Sequence, residues 1–504
     1  MTDQLDSLPK DAGQADADDD TPGVAGPAPI RRDLDPEDWD RFRDLGHEAL
    51  DAMIAYIADA DARPVWQPMP ADVRARFQGT LPRSGRDLAD VLADFRADIE
   101  PYATGNTHPL FMGWVHGAGT PVGMLAEMLA AGLNANCGGR DHVGLEVERQ
   151  IVRWSAELFG YPADASGLFV TGTSMANFLG LLVARNQALG HGVRGAGLRG
   201  QAPQLTAYAS REAHGCIAQA MELSGVGSDN LRLVPVDAQG AMRVDELKAA
   251  IVRDRLRGHL PFLVVGTAGT VNTGAFDPLD AIADVAARER LWFHVDGAFG
   301  GLVALSTKLR PLLAGIERSH SIGFDFHKWA HVPYDAGFLL VRDAQAHRHT
   351  FAKPAAYLDR LPVGLAAGDT WPCDLGPDLS RGFRALKTWF TFQTFGADRI
   401  GASIEHCCAV AAYLARRLEQ SPAVELAAPV ALNIVCFRLR DADDATHQAI
   451  VMDLQQRGLA APSLTTLDGR LVIRCAIVNH RTTTRHADRF IAALGACSGS
   501  SRRL

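Results

Sequence analysis

The stretch "PFLVVGTAGTVNTGAFDPLDAIADVAARERLWFHVDG", residues 261–297, decides the fold class. A short apolar run, "PFLVVGT", is followed by an amphipathic run, "LDAIADVAARER", and then by a second apolar run, "LWFHVDG". The same alternation begins at "SGLFVT", residues 166–171, and continues through the middle third of the chain. Strands that alternate with helices form βαβ units, so the sequence predicts an α/β fold with a mostly parallel central sheet flanked by helices.

The sequence on either side of this core predicts further segments. Residues 1–33 are acidic, rich in Ala, Gly and Pro and without periodicity, which predicts a disordered tail. Residues 34–115 are predicted to form an N-terminal helical arm that opens with Asp35 as its N-cap, before Pro36. We expect the large α/β domain to cover residues 116–395 and a smaller C-terminal α+β domain to cover residues 396–504.

The composition excludes several classes of protein. The chain has 504 residues, of which 47% are hydrophobic and 22% charged, which is enough for a sizeable core and at least two domains. A net charge of -9 without a long Lys/Arg run argues against nucleic-acid binding. No apolar run reaches the ~20 residues that a bilayer requires. The N-terminus lacks the basic and apolar regions of a signal peptide, so we expect a cytoplasmic protein.

Unusual side chains follow several of the predicted strands. Asp296 closes "LWFHV" and precedes the small-residue run "GAFGG", and Lys328 follows "SIGFDFH". His214 comes after "LTAYAS", and Thr270 comes after "PFLVVGTAG". Ligands of an open α/β sheet bind beyond the carboxyl ends of its strands. We therefore expect these residues to share one site.

The turn between "SGLFVT" and the next predicted helix adds an anion site. It contains Thr173, Ser174 and Asn177, where free backbone N-H groups and the helix dipole favour a negative charge. Each residue alone also has an ordinary structural interpretation, such as a helix start, a strand-end cap or a core histidine. Their joint occurrence at strand ends favours the ligand site.

Lys328 is the residue that indicates the chemistry of the site. It sits within "SIGFDFHKWA", residues 321–330, although lysine is rarely buried without a partner or a reaction. We expect burial to lower the pKa of its amine, which keeps the amine neutral and nucleophilic. A lysine for an aldehyde, a carboxylate for a ring nitrogen and an anion cradle are together what pyridoxal 5'-phosphate requires. The sequence predicts this cofactor, with Asp296 keeping the ring nitrogen protonated.

Four segments, "VTGTSMAN", "EAHGC", "FHVDGAFGG" and "DFHKW", in this order and spacing, resemble the group II pyridoxal-phosphate-dependent amino-acid decarboxylases. That family includes aromatic-L-amino-acid, tyrosine, glutamate and diaminobutyrate decarboxylases. The resemblance extends from about residue 35 to residue 495. It implies the fold-type I aminotransferase architecture, a homodimer with the N-terminal arm on the partner subunit, and decarboxylation of an L-amino acid, with aromatic substrates favoured.

The resemblance also implies roles for individual residues. Lys328 looks like the Schiff-base lysine, and Asp296 looks like the partner of the pyridine nitrogen. His214 resembles the imidazole stacked over the ring, Ala298 the small residue beneath it, and Thr270 a threonine near the cofactor. The phosphate contacts implied by the resemblance involve Ser174, the backbone at Thr173, His327 and Asp325.

One departure from the family concerns proton delivery. Family decarboxylases carry a loop tyrosine that reprotonates the substrate α-carbon, which we expect within "LDRLPVGLAAGDTWPCDLGPDLSR", residues 358–381. This stretch contains no tyrosine. In some relatives the loss of that hydroxyl leads to oxidative deamination. Two alternatives stay open beside amine formation: an aldehyde-forming oxidative deaminase, and a decarboxylase of glutamate or diaminobutyrate-type substrates.

Other features of the sequence concern the substrate, metal binding and nucleotide binding. Phe111 and Trp114 favour an aromatic or apolar substrate, and "GRDH", residues 139–142, is a second departure that could line a different pocket. We predict no metal site, because the histidines in this region are scattered rather than spaced as ligands. A nucleotide-binding Rossmann protein is disfavoured, since no G-x-G-x-x-G follows the first strand of the alternating region.

Overall fold

The computed structural model describes residues 33–198, 203–353 and 359–497. The predicted disordered tail lies outside this range except for its last residue. The described residues fall into two units that divide between Asp51 and Ala52. The first described helix is capped by Asp38, whose Oδ1 accepts the N-H groups of Asp40 and Arg41. The prediction of Asp35 as the N-cap is therefore wrong, because the carboxylate that reaches the free N-H groups of the first turn lies three residues later.

Strands and helices are numbered along the chain. The described strands are β1 (Phe111–Met112), β2 (Ser166–Val170), β3 (Leu205–Ser210), β4 (Leu231–Val234), β5 (Leu260–Thr267), β6 (Trp292–Asp296), β7 (Ser321–Asp325), β8 (Gly337–Val341), β9 (Val424–Leu426), β10 (Ile434–Leu439), β11 (Ala461–Leu467) and β12 (Arg470–Ala476). The described α-helices are α1 (Trp39–Ala58), α2 (Ala71–Arg76), α3 (Leu88–Asp94), α4 (Pro121–Leu133), α5 (Val143–Phe159), α6 (Thr173–Leu189), α7 (Val193–Ala196), α8 (Cys216–Leu223), α9 (Val244–Leu256), α10 (Leu279–Glu289), α11 (Phe326–Trp329), α12 (Ala344–Phe351), α13 (Arg384–Glu419), α14 (Asp444–Gln456) and α15 (Thr484–Cys497).

The larger sheet has the strand order β2-β8-β7-β6-β5-β3-β4. The pairs from β7 through β6, β5 and β3 to β4 are parallel, whereas β8 runs antiparallel to both of its neighbours. Helix α10 packs on β5 and β6, and α6 packs on β7 and β8. The predicted α/β fold with a mostly parallel sheet is confirmed. Because β5, β6 and β7 are parallel neighbours, their carboxyl ends meet at one edge.

The smaller sheet has the order β1-β11-β12-β10-β9. Strands β11 and β12 form a hairpin whose two turn residues, Asp468 and Gly469, have φ of 47° and 76°. An Asp-Gly pair between apolar runs is typical of a two-residue hairpin turn, so this signal could have revealed β11, which the sequence analysis missed. Strand β1 joins the sheet from far upstream by parallel pairing with β11.

Helix α13 is interrupted at Gly396, where φ is 71° and ψ is 158°. This conformation is open to glycine without the steric cost that a side chain would add. The interruption lies beside the predicted limit between residues 395 and 396, and the domain division itself stays a prediction. Within the described part of the chain, no helix is both long and apolar enough to span a bilayer.

A buried ion pair connects the segment before α13 with helix α5 and strand β2. Arg381 donates to Glu148 of α5 at 2.7 Å and to the carbonyl of Phe169 in β2 at 3.0 Å. The Glu148 carboxylate also accepts the N-H of Phe169 at 3.3 Å. A buried guanidinium needs such partners, because an unpaired buried charge is costly. The pair holds the chain before α13 against the strand that leads into the turn at residues 171–173.

Candidate active site

A cavity of about 380 Å³ opens at the carboxyl ends of β5, β6 and β7. Its wall includes the last residue of each of these strands: Thr267, Asp296 and Asp325. All of the residues predicted to serve catalysis or contact the cofactor, except Asn177 and Thr270, line it, namely Thr173, Ser174, His214, Asp296, Ala298, Asp325, His327 and Lys328, whereas Phe111 does not. Side chains that the sequence places up to 155 positions apart, from Thr173 to Lys328, are therefore brought to one cavity.

Asp296 is the buried carboxylate of the site. It ends β6, is 3% exposed, and its Oδ1 accepts the N-H of Ala298 at 3.1 Å. Burial raises the pKa of Asp296, whereas the nearby Lys328 charge, the Ala298 N-H and the Asn177 side chain oppose that rise. The carboxylate is thus held in an apolar setting with a few donors, where a positively charged partner would be strongly attracted.

Lys328 does not extend a strand as its sequence setting suggested. Strand β7 stops at Asp325, and the chain turns into the single helical turn α11, which carries Lys328. This turn brings the Lys328 Nζ to 2.6 Å from Oδ2 of Asp325. The side chain of Lys328 is 21% exposed, whereas that of Asp325 is 2% exposed.

The expected lowering of the Lys328 pKa is wrong. Burial does lower it, but the Asp325 carboxylate, followed by Asp296, outweighs that effect and raises the pKa above its ordinary value. The amine is therefore an ammonium that must give up a proton before it can attack an aldehyde. Asp325 is the group in contact with that ammonium.

Replacing Asp325 with asparagine should lower the pKa of Lys328, because the attraction disappears while the burial remains. Asparagine can still accept the backbone bond that Asp325 now accepts from Thr173. We expect the apoprotein to capture pyridoxal 5'-phosphate at pH 7 on the order of tenfold faster. The measurement is the pH dependence of the capture rate, trapped with borohydride. A midpoint that stays in place or moves to higher pH contradicts the role of Asp325, and Asp245→Asn on the surface is the matched control.

The turn after β2, where the sequence predicts an anion site, leads into α6. The N-H of Thr173, at the start of α6, donates to Oδ1 of Asp325 at 2.8 Å. Its Oγ1 is buried and has no hydrogen-bond partner within the described chain. Ser174 is exposed beside it at the cavity mouth. A buried hydroxyl without a partner at the N-terminus of a long helix is suited to an anionic group such as a phosphate.

The remaining predicted cavity residues sit around this centre. His214 is exposed on the segment between β3 and α8, and its Nδ1 accepts the N-H of Cys216 at 3.2 Å. Ala298 is half-buried just after Asp296. His327 precedes Lys328 in α11, and its Nδ1 accepts the N-H of Ala336 at 3.0 Å. Burial lowers the pKa of His327, so its imidazole is neutral near pH 7.

Asn177 and Thr270 do not reach the cavity wall. Asn177 is buried in α6, where its Oδ1 lies 2.8 Å from Nε2 of His294 and its Nδ2 donates to Sγ of Cys216 at 3.3 Å. Thr270 accepts the N-H of Ala275 at 3.0 Å and so closes a turn after β5. Asn177 acts on the site through Asp296, and Thr270 shapes the loop. Their predicted cofactor contacts stay predictions.

The residues of this wall fit pyridoxal 5'-phosphate. The buried Thr173 hydroxyl and the start of α6 suit its phosphate, and Asp296 suits a protonated ring nitrogen. Lys328 supplies the amine, while Ala298 leaves room for a flat ring. Within the described residues, no group of three His, Cys, Asp or Glu side chains is arranged to hold a metal ion.

Sequence reasoning missed part of the cavity wall. His116 and Tyr334 line it together with Trp114. The rings of Trp114 and His116 stack with centroids 5.7 Å apart, and Phe111 stacks on His116 at the same separation. Gly117 allows this segment to approach, since a Cβ there would lie 1.9 Å from the carbonyl oxygen of His327. Gly117 was a sequence signal that two backbone segments approach closely. No local sequence feature indicated that Tyr334 lines the cavity.

Two other contacts define the edges of this wall. Arg474 of β12 donates to the carbonyl of Trp114 at 3.1 Å and thereby fixes the segment that carries Trp114. The segment 139–142, considered as a possible pocket wall, does not line the cavity. Its His142 caps α5 instead, accepting the N-H of Gly144 at 3.1 Å.

Comparison with known proteins places these features in a family. A family model described as "Pyridoxal-dependent decarboxylase conserved domain" matches residues 70–440. The chain is 31% identical over 460 residues to an aromatic-L-amino-acid decarboxylase of Bacillus atrophaeus, covering 88% of this chain and 93% of that protein. It is 32% identical over 424 residues to an L-2,4-diaminobutyrate decarboxylase of Rhizobium meliloti (strain 1021), covering 82% and 83%. The crystal structure of Oryza sativa TDC with PLP and tryptamine has a TM-score of 0.84 at 24% identity, covering 92% and 99%.

Proposed function

The chain belongs to the family of pyridoxal-dependent decarboxylases, and from that membership we propose that it converts an aromatic L-amino acid to the corresponding amine and CO2. It is a pyridoxal-phosphate-dependent amino-acid decarboxylase; the substrate class is the proposal. One observation carries the proposal: a single cavity holds Lys328, the buried Asp296 and an aromatic wall.

The residues of the cavity divide the chemical work. When bound, pyridoxal 5'-phosphate supplies an aldehyde for the substrate amine and a ring that accepts the electron pair left on the α-carbon. Asp296 would hold a proton on the ring nitrogen of the bound cofactor, and Lys328 would supply the amine that attaches its aldehyde to the protein. Thr173 and Ser174 bind the phosphate and fix the ring in position. Asp325 pairs with the Lys328 ammonium and holds the phosphate turn through Thr173.

The wall favours an aromatic substrate side chain. Trp114, His116 and Tyr334 present rings to the cavity, and aromatic groups pack well in offset or edge-on arrangements against such rings. An acidic side chain would need a cation, and the lysine among the described wall residues, Lys328, pairs with Asp325 and is the residue proposed to bind the cofactor. These contacts support aromatic over glutamate-like substrates.

Two other functions each have one observation in their favour. The similarity to a diaminobutyrate decarboxylase supports a basic substrate, whose second amine would have to pair with a wall carboxylate. The absence of a tyrosine from residues 358–381 supports aldehyde formation, because no phenolic hydroxyl is there to reprotonate the α-carbon. Both alternatives use the same lysine and the same buried carboxylate.

The deciding experiment supplies the cofactor-loaded enzyme with single amino acids. The panel contains tryptophan, tyrosine, phenylalanine, histidine, glutamate and 2,4-diaminobutyrate, and CO2, amine, aldehyde and hydrogen peroxide are all quantified. We expect equal amounts of CO2 and amine from an aromatic member. CO2 from glutamate or diaminobutyrate alone contradicts the proposed aromatic substrate class. Aldehyde together with peroxide contradicts amine formation. If no amino acid of the panel yields CO2, the proposal as a whole is wrong.

We also propose that the chain works as a homodimer. Helix α4 exposes Leu125, Met128, Leu129 and Leu133. Their spacing places them on one stripe of the helix, while α4 also packs on α13. An exposed apolar stripe of this kind is typical of a surface that another subunit covers. The predicted cytoplasmic location is likewise kept as a proposal.

Charged residues on this stripe should dissociate the dimer. Replacing Met128 and Leu129 together with lysine places two charges in an apolar contact, and we expect the dimer dissociation constant to rise by roughly 100-fold or more. Sedimentation velocity over a concentration series measures it. Leu256→Lys, at the exposed end of α9, is the matched control. A wild-type monomer, or a double variant that dimerises as the wild type does, contradicts the proposal.

A further inference from the structure

The proposed decarboxylation lacks a proton donor, and we propose that Tyr334 is that donor. The inference rests on the proposed function and names the residue that completes it. After CO2 leaves, the α-carbon must gain a proton to become the carbon of an amine. Residues 358–381 contain no tyrosine, whereas Tyr334 lies on the cavity wall between α11 and β8.

Contacts hold the Tyr334 ring beside the reacting groups. Its centroid lies 4.3 Å from that of His327, the neighbour of Lys328, with the two planes tilted by 35°. The ring also meets His116 edge-on, with centroids 6.2 Å apart. Tyr334 as a whole is 47% exposed, so part of the residue faces solvent although its hydroxyl is partly shielded. Tyr334 and Lys328 thus line the same cavity, and the Lys328 charge acts on the Tyr334 hydroxyl.

The charges around Tyr334 suit proton donation. Burial raises the pKa of its hydroxyl, so the group carries its proton at neutral pH. The Lys328 charge and the backbone at Gly117 act in the opposite direction and favour the phenolate that donation leaves behind. The hydroxyl therefore carries its proton before donation, and the Lys328 charge stabilises the phenolate that forms afterwards. A general acid requires both properties.

Other groups on the wall are less suited to this role. Burial lowers the pKa of His116 and of His327, so both are neutral and are weak acids near pH 7. His327 in addition uses its Nδ1 to accept a backbone N-H. The Lys328 ammonium is the main alternative proton donor, and the Tyr334→Phe variant distinguishes the two residues.

The step balances without an oxidant. The bond from the α-carbon to the carboxylate breaks, CO2 departs, and both electrons stay with the α-carbon. The O-H bond of Tyr334 then breaks, its proton forms the new C-H bond, and the phenolate recovers a proton from water. If no proton arrives, dioxygen and water are the further reactants: the two electrons reduce dioxygen to hydrogen peroxide, and hydrolysis releases aldehyde and ammonia.

The test replaces Tyr334 with phenylalanine in the cofactor-loaded enzyme, which keeps the ring and removes the hydroxyl. We expect a wild-type rate of CO2 release in the first turnover and a fall in amine formation of roughly 100-fold or more. Remaining turnover should give aldehyde and peroxide. In D2O, the wild type should place one deuterium in a single configuration at the α-carbon, and the variant should place it in both.

Two measurements exclude a merely structural effect. The dissociation constant for pyridoxal 5'-phosphate and the near-ultraviolet circular dichroism of the variant should match the wild type within about twofold. Tyr413→Phe is the matched control, since that hydroxyl binds Asp488 on a distant helix and should leave products and deuterium labelling unchanged.

The outcomes are distinct. If Tyr334→Phe forms amine at the wild-type rate with a single deuterium configuration, the inference is overturned and Lys328 becomes the donor. If the variant loses the cofactor instead, Tyr334 has a positioning role and the inference is again wrong. If the wild type releases no CO2 from any amino acid, the proposed function fails together with this inference, whereas an active wild type with an unaffected variant overturns the inference alone.

Discussion

Replacing Lys328 with alanine should abolish decarboxylation, with a fall in rate of roughly 10^4-fold or more. The amine of Lys328, which we propose as the nucleophile of the cavity, lies 2.6 Å from Asp325 at the end of β7. Without it, the aldehyde of the cofactor has no covalent partner on the protein. The measurement combines the CO2 release rate with mass spectrometry after borohydride, which should add the reduced cofactor to Lys328 in the wild type.

Two companion variants make this result specific. Lys328→Arg keeps the positive charge beside Asp325, so the ion pair persists while the nucleophilic amine is lost. We expect it to be as inactive as the alanine variant. Lys308→Ala, at an exposed position, should remain fully active. Borohydride-fixed cofactor in either Lys328 variant would contradict the assignment of Lys328.

Replacing Asp296 with asparagine should lower the decarboxylation rate on the order of 10^3-fold while the cofactor stays attached to Lys328. Asparagine keeps the size of the side chain and loses the charge that holds the proton on the ring nitrogen. The electron pair left after CO2 departs then has a weaker acceptor. Attachment survives because Lys328, rather than Asp296, forms the covalent link.

The measurement for Asp296 is the decarboxylation rate per cofactor bound, with borohydride labelling as the check on attachment. Asp296→Glu, which keeps the charge, should retain part of the wild-type rate. The control variant Asp164→Asn, at an exposed site, should retain the full wild-type rate. Because burial raises the pKa of Asp296, activity should fall as the pH falls through that raised value and the carboxylate becomes protonated. A rate within tenfold of the wild type at full labelling contradicts the role of Asp296.

The alternation of short apolar and amphipathic runs was sufficient to predict the larger sheet. Strands β5, β6 and β7 are nearly continuous apolar runs, as expected for parallel strands buried on both faces. The smaller sheet was predicted only in part. Strand β1 has two residues and pairs with β11, which is far away in the sequence, so no local period marks it.

No local sequence feature links Glu148 to Arg381. Their side chains form a buried ion pair 233 residues apart in sequence, and that pair fixes the chain at the entrance to α13. Pairing of this kind depends on the final fold rather than on neighbours along the chain. A single sequence therefore identifies the residue types and leaves their partners open.

The sequence by itself determined the parallel sheet and the chemical identity of its strand-end residues, because hydrophobic period and residue type are local properties. Lys328, Asp296 and the turn at Thr173 were all identified in that way. The tertiary structure alone decided that Asp325 pairs with Lys328 and raises its pKa, and that Trp114, His116 and Tyr334 close the cavity. Charge interactions and cavity walls depend on distances between remote segments, and only packing sets those distances.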